Sequence, residues 1–145
     1  MAGSREVSEV SVGGVSLIAP RSWTFFPFEN LILARTDARL GTLQISLAFR
    51  EQASRPITHE SCLRVALEFA NVESSKTFDR QTSGDGARLC GSLTFGSSEH
   101  LGGVFYACDD HGLIVAVYRA SAPGAETEVV ECARILESAS ISGRV

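Results

Sequence analysis

The stretch from Gly86 to Ser121 constrains the fold more than any other part of the chain. It holds three apolar runs rich in β-branched and aromatic residues, which favour strands. Two clusters separate the runs, Gly96–His100 and Asp109–Gly112. Their Gly, Ser and Asp residues are typical of turns. We therefore predict three consecutive antiparallel strands.

Both faces of these three strands are apolar. Successive side chains of a strand point to opposite faces, and a first turn about Glu99 would place Cys90 opposite Cys108 and Leu93 opposite Phe105. Such a sheet needs a covering layer on each side. The predicted first face carries Leu89, Leu93, Phe95, Phe105, Ala107, Ile114, Ala116 and Tyr118, and the second carries Cys90, Val104, Tyr106, Cys108, Leu113, Val115 and Val117.

Two amphipathic helices can supply the covering layers. The first is predicted from Thr58, a good N-cap, to Asn71. The second follows the break at 123–124 and has Glu126 and Glu128 in its first turn, where the helix dipole favours acids. Its predicted buried stripe is Val129, Cys132, Ala133 and Leu136.

The remaining segments predict further strands. Two short runs around Gly13-Gly14 indicate a hairpin, 30–35 and 43–49 have strand patterns, and 73–86 has the composition of a surface loop that could hold a short strand. Ser140-Ile141 could return to the sheet. The predicted fold is α+β, an antiparallel sheet of about six to seven strands with helices on its faces, in one domain over residues 1–145.

Charge and cysteine content disfavour several classes of function. The net charge is −4 and no Lys/Arg run is present, which disfavours nucleic-acid binding. No apolar run approaches the ~20 residues of a membrane helix, and residues 1–10 lack the apolar region of a secretory signal. The four cysteines lack a Cys-x-x-Cys motif, so we expect reduced thiols, no Cys90–Cys108 disulfide and a cytoplasmic location.

No motif in the sequence indicates catalysis. His100 and His111 lie in turns at opposite ends of predicted strands, roughly 30 Å apart, so they cannot share one site. His59 stands alone at the start of the first helix. The cysteines lie in apolar patterns, and no Gly-x-Ser-x-Gly or phosphate-loop motif occurs. We expect no enzyme, metal or cofactor.

An aromatic segment, Trp23–Phe28, allows two interpretations. It can plug the core, since aromatic side chains dominate core burial, or it can form a groove beside the mixed face of strand 42–50. In the second interpretation it binds a partner protein. The candidate partner-binding residues are Trp23, Phe25, Phe26, Phe28, Gln44 and Ser46.

Three segments resemble the PsbP-like family of α/β/α sandwiches, which includes bacterial DcrB-like proteins. Val15–Trp23 is similar to the family's apolar strand, proline and tryptophan, Gly41–Ser46 to the strand before its first helix, and Ile135–Ile141 to its closing helix and tail. The resemblance implies protein binding rather than turnover. Some DcrB-like members resemble chaperones for N-terminal membrane segments of type VI secretion effectors.

Three hypotheses of function follow. The first is a cytoplasmic chaperone- or adaptor-like module whose partner is an effector segment, with a homodimer as its expected assembly. The second is an immunity protein that neutralises a toxin through acidic side chains. The third is an unrecognised enzyme. The carboxylates for the second are Asp79, Asp85, Asp109 and Asp110.

Overall fold

A computed structural model describes residues 7–29, 31–49, 58–71, 77–85, 88–96, 101–109, 112–121 and 124–141 of this chain. Within them it forms strands and two helices in an α+β architecture. The elements are β1 (Val7–Val12), β2 (Val15–Pro20), β3 (Trp23–Phe28), β4 (Leu31–Thr36), β5 (Gly41–Phe49), α1 (His59–Ala70), β6 (Thr77–Asp85), β7 (Arg88–Gly96), β8 (Leu101–Cys108), β9 (Gly112–Ala120), α2 (Glu126–Ser138) and β10 (Ser140–Ile141).

The strands form two antiparallel sheets. The larger sheet has seven strands in the order β3-β4-β5-β9-β8-β7-β6, and the smaller has three in the order β1-β2-β10. The predicted α+β class is confirmed. The sequence-based expectation of one sheet is wrong in one respect, because the first hairpin and the tail form a sheet of their own. Pairing of β10 with β2 brings the two ends of the described chain together.

The central strands β8 and β9 are buried on both faces, as their composition requires. On one face, Phe105, Ala116 and Tyr118 share a core with β2 of the small sheet and with α2. On the other face, β8 and β9 share a core with α1. The prediction that this sheet needs a layer on each side is therefore confirmed.

The hairpin of β1 and β2 turns through Gly13-Gly14, as predicted. Val12 pairs with Val15, so the connection has only two residues. Both glycines have positive φ, 58° and 85°, which matches the primed turns that two-residue hairpins favour. The turn lies against β4, because a Cβ on Gly13 would be 3.0 Å from the side chain of Ile32.

The predicted register of β7 is wrong by one residue. Cys90 pairs with Ala107 and Leu93 with Val104, whereas the prediction placed them opposite Cys108 and Phe105. The last described pair of these strands is Gly96–Leu101, which is also one residue out of register with a turn centred on Glu99. A slip of one residue exchanges the faces of a strand, so Cys90 joins the core of α2 and Leu93 that of α1.

The segment interpreted as a surface loop contains a long edge strand. Strand β6 occupies Thr77–Asp85 and pairs along β7. Edge strands commonly carry polar and charged residues, so such a strand can have the composition of a loop. The part of the predicted loop at 73–76, and residue 86, lie outside the described residues.

Helix α1 begins and ends where its sequence predicts. Thr58 is the N-cap, and its Oγ1 accepts a hydrogen bond of 3.1 Å from the backbone N–H of Ser61. Asn71 ends the helix in the left-handed conformation at φ 58°, which is a common helix C-terminus. Neither helix of the described ranges is long and apolar enough to cross a membrane.

Candidate functional site: an open face of the large sheet

Strand alternation divides the aromatic segment between the two faces of the large sheet. Trp23 is 5% exposed and belongs to the core beneath α2. Its ring lies edge-on to Tyr118, with 6.3 Å between the ring centroids. Phe25 packs at the border of the same core, 6.5 Å from the Trp23 ring. These two candidate residues therefore have core positions in this chain.

The other four candidate residues share the opposite face. Phe26 pairs with Leu33 of β4, and Leu33 pairs with Gln44 of β5. Phe28 and Ser46 have the same parity in their strands as Phe26 and Gln44. Since alternate side chains share a face, the structure brings Phe26, Phe28, Gln44 and Ser46 to one surface. We call this surface, with Leu31, Leu33 and Arg35 of β4, the open face.

Helix α1 does not extend over the open face. It packs against β7, β8 and β9. In the described part of the chain, the buried residues of its core come from α1 and those three strands, and none comes from β3, β4 or β5. Leu31 and Leu33 are half-buried, and Phe28 is 54% exposed. A run of large apolar side chains thus continues past the edge of the helix layer.

One end of the open face is basic. Arg35 pairs with Thr24, and its guanidinium carbon lies 5.8 Å from the centroid of the Phe26 ring, a cation–π distance. The Nε atom of Arg35 is buried and has no hydrogen-bond partner among the described residues. An open cavity of about 310 Å³ lies at this end of the face. Its lining residues are Thr24, Phe26, Arg35, Thr36, Asp37 and Arg39.

A buried carboxylate joins α2 to the opposite face of the sheet. Glu128 is 5% exposed and accepts hydrogen bonds from Thr36 Oγ1, at 2.6 Å, and from the Tyr118 hydroxyl. Burial, together with the hydrogen bond from Tyr118 to Glu128, raises the pKa of Tyr118. Glu128 lies in the first turn of α2 as predicted, but its burial was not predicted. Its position four residues before the buried Cys132 was the available sequence signal, and its hydroxyl partners come from distant strands.

His59 contacts the sheet through Tyr106. Its Nδ1 lies 2.6 Å from the hydroxyl oxygen of Tyr106. Tyr106 is 1% exposed, and its ring packs against the backbone of Gly91 in the adjacent strand. This pair anchors the first turn of α1 to β8. His100 and His111 lie outside the described residues, within which no group of three His, Cys, Asp or Glu side chains could hold a metal ion.

Cys90, which lines a small cavity, is poorly suited to thiol chemistry. Cys90 lines a space of about 90 Å³ together with Glu137. Burial raises the pKa of the Cys90 thiol, although the neighbouring Arg88 acts in the opposite direction. Because the thiolate is the nucleophile, a raised pKa disfavours reaction at neutral pH. The arrangement supports packing rather than catalysis.

Most of the aspartates named for the immunity hypothesis have side chains that the structure does not describe. The side chains of Asp79 and Asp85 and the whole of Asp110 fall there. Asp109 is described, and its Oδ1 accepts a hydrogen bond of 3.3 Å from the backbone N–H of Gly112. That bond closes the turn between β8 and β9.

Comparison with known proteins finds a similar fold but no matching family. No protein-family model matches the chain, and no curated protein matches it in sequence. Among solved structures, it is similar to a protein of Bacteroides thetaiotaomicron VPI-5482, with a TM-score of 0.57 and 14% identity. The similarity covers 93% of this chain and 48% of that one, so the chain spans about half of that protein's length. At this identity the likeness concerns the fold alone.

Proposed function

We propose that this protein is a non-catalytic binding module, chaperone- or adaptor-like, that docks an apolar segment of another protein on the open face. The observation that carries the proposal is the position of Phe28, Phe26 and Leu33 on a sheet face that α1 leaves uncovered. Exposed apolar patches with polar neighbours are typical of interaction sites. Gln44 and Ser46 supply such neighbours beside the aromatic side chains.

Two further features are consistent with this proposal. All four cysteines are free and buried, as expected in a reducing compartment, and we propose a cytoplasmic location. The antiparallel sheet with helices on both faces fits the PsbP-like assignment, which we retain as a proposal. A secretion-system effector is then the first partner class to consider, with a homodimer as one possible assembly.

The proposal is tested with peptides and not with an unknown partner. A display library of random 12-residue peptides is selected on the full-length chain, and enriched sequences are compared for three forms of the protein. The forms are wild type, Phe28→Asp and Val130→Asp. Phe28 and Val130 are similarly exposed, at 54% and 52%, so neither substitution disturbs a core. Val130 lies on the outer surface of α2, away from the open face.

We expect apolar peptides to be enriched on wild type and on Val130→Asp, and to be lost on Phe28→Asp. A charge introduced into an apolar docking surface removes affinity because it must be desolvated on binding. Absence of any enrichment on the wild-type chain would contradict the proposal. Equal enrichment on all three forms would show that the peptides bind at a site other than the open face.

A further inference from the structure

We propose that the segment docked on the open face carries an acidic side chain, and that Arg35 binds this carboxylate. This inference rests on the proposed function and specifies the chemistry of its partner. Arg35 is the charged side chain among the residues that define the open face, and its end of the face carries more basic than acidic side chains.

One hydrogen-bonding group of Arg35, its Nε, has no partner in the described part of the chain. Its guanidinium rests over the Phe26 ring, and its Nε is buried without a partner in the described ranges. Most buried side-chain donors have a partner, and a donor left unpaired is costly. Arg35 also lines the open cavity at this end of the face, where its guanidinium can meet an acceptor carried by a docked segment.

The chemistry of the cavity favours a carboxylate as that acceptor. A guanidinium offers a planar pair of donors that matches a carboxylate in a bidentate geometry. Arg39 and Asp37 line the same cavity. With Arg35, the described lining therefore has two cationic side chains and one anionic side chain, and its net charge is positive. The hydroxyl of Thr24, directly across the strand from Arg35, can donate to the same group.

The strand register fixes where the acid must lie in the partner segment. Arg35 and Leu33 are two residues apart on one face of β4, and Leu31 lies two residues further. The rise of a strand is about 3.3 Å per residue. Apolar side chains of the partner would lie over Leu33 and Leu31, and the acid would lie beyond them at the end nearest Arg35, about 7 Å from Leu33 along the strand.

The same peptide selection separates this inference from the proposed function. It is repeated on Arg35→Gln and Arg35→Lys, and one enriched peptide is synthesised with Glu or Gln at the acidic position. Affinities are measured by fluorescence anisotropy. On wild type we expect one Asp or Glu at an end of the apolar motif, and about tenfold weaker binding of the Gln peptide. On Arg35→Gln the two peptides should bind equally, and Arg35→Lys should restore part of the difference.

Three results would overturn the inference. Apolar peptides without an acid on wild type would refute it and leave the proposed function intact. A Glu-over-Gln preference that survives in Arg35→Gln would assign the carboxylate to another cation. The absence of any peptide bound at the open face would remove the proposed function and the inference together. Thermal unfolding of both Arg35 variants controls for loss of structure.

Discussion

The indole Nε1 of Trp23 donates a hydrogen bond of 2.9 Å to Oε1 of Glu131. Trp23 lies in the edge strand β3 and Glu131 in α2, so this bond ties the outermost strand of the large sheet to the helix above it. The bond explains why an aromatic residue of a candidate binding segment has a core position. Because alternate side chains of a strand point to opposite faces, Phe26 and Phe28 lie on the open face, opposite Trp23.

Replacing Trp23 should therefore affect stability more than binding. We expect Trp23→Phe to lower the free energy of unfolding by about 1–3 kcal/mol, through loss of buried volume and of the hydrogen bond. Urea denaturation followed by circular dichroism measures this. Phe28→Ser is the control and should change stability by less than about 0.5 kcal/mol. A Trp23→Phe variant as stable as wild type would contradict the assignment of Trp23 to the core.

The elements predicted correctly were those whose signals are local. The alternation in β5, the N-cap at Thr58 and the two glycines of the first hairpin each involve neighbours in sequence. The prediction failed where contacts between segments distant in sequence determine the structure. The register of β7 depends on how β8 meets it, and β6 is an edge strand whose polar sequence does not distinguish it from a loop.

The candidate site was predicted in part for the same reason. The sequence-based prediction placed the aromatic segment beside the mixed face of strand 42–50 but treated its four aromatic residues as one set. The strand conformation of β3 in the structure separates Phe26 and Phe28 from Trp23 and Phe25. The half-buried leucines of β4 and the basic end at Arg35 were missed. They join the surface only through the pairing of β4 between β3 and β5, which a single sequence does not determine.

The hydrogen bond from Tyr118 to Glu128 predicts a loss of stability at alkaline pH. Burial raises the pKa of Tyr118 in the folded chain above its ordinary value of 10.0. The unfolded chain therefore loses this proton first, and the stabilisation is complete below pH 10 and falls as the pH rises above it. Tyr118→Phe should be less stable than wild type by about 1–3 kcal/mol at pH 7.

The stability difference between Tyr118→Phe and wild type should then shrink above pH 10. Burial also raises the pKa values of Cys90 and Cys132, but both thiols are present in the two proteins and cancel in the difference. Urea titrations at several pH values between 7 and 11 measure it. A difference that stays constant over this range would show that Tyr118 ionises alike in the folded and unfolded chains.

Arginines of the sheet bind the C-terminal carbonyls of both helices. Nη2 of Arg88 in β7 donates to the carbonyl oxygens of Glu137, at 2.7 Å, and Ala139, at 2.5 Å. Nη2 of Arg119 in β9 donates to the carbonyl oxygen of Ala70. Neither helix has a basic residue in its last turn. The sheet thus supplies the cations that helix C-termini favour.

Removing either arginine should loosen the helix it caps. We expect Arg88→Met and Arg119→Met each to lower the free energy of unfolding by about 1–2 kcal/mol, because carbonyl groups lose a charged donor. The matched controls are Arg134→Met and Arg64→Met, exposed positions on α2 and α1. Hydrogen exchange should show faster opening of α2 only in Arg88→Met and of α1 only in Arg119→Met. Equal loss in the controls would indicate a general effect of charge.

A side chain at Gly91 should displace Tyr106 and, with it, the anchor of α1. A Cβ there would lie 2.3 Å from Cζ of Tyr106, whose hydroxyl contacts His59 at 2.6 Å. Because Tyr106 is fully buried, it has little room to move, and we expect Gly91→Ala to be destabilising by about 1–3 kcal/mol. In a Tyr106→Val background the clash is absent, so the same substitution should have a much smaller effect. Urea denaturation of the four proteins of this double-mutant cycle measures the coupling, and additive effects would contradict the contact between Gly91 and Tyr106.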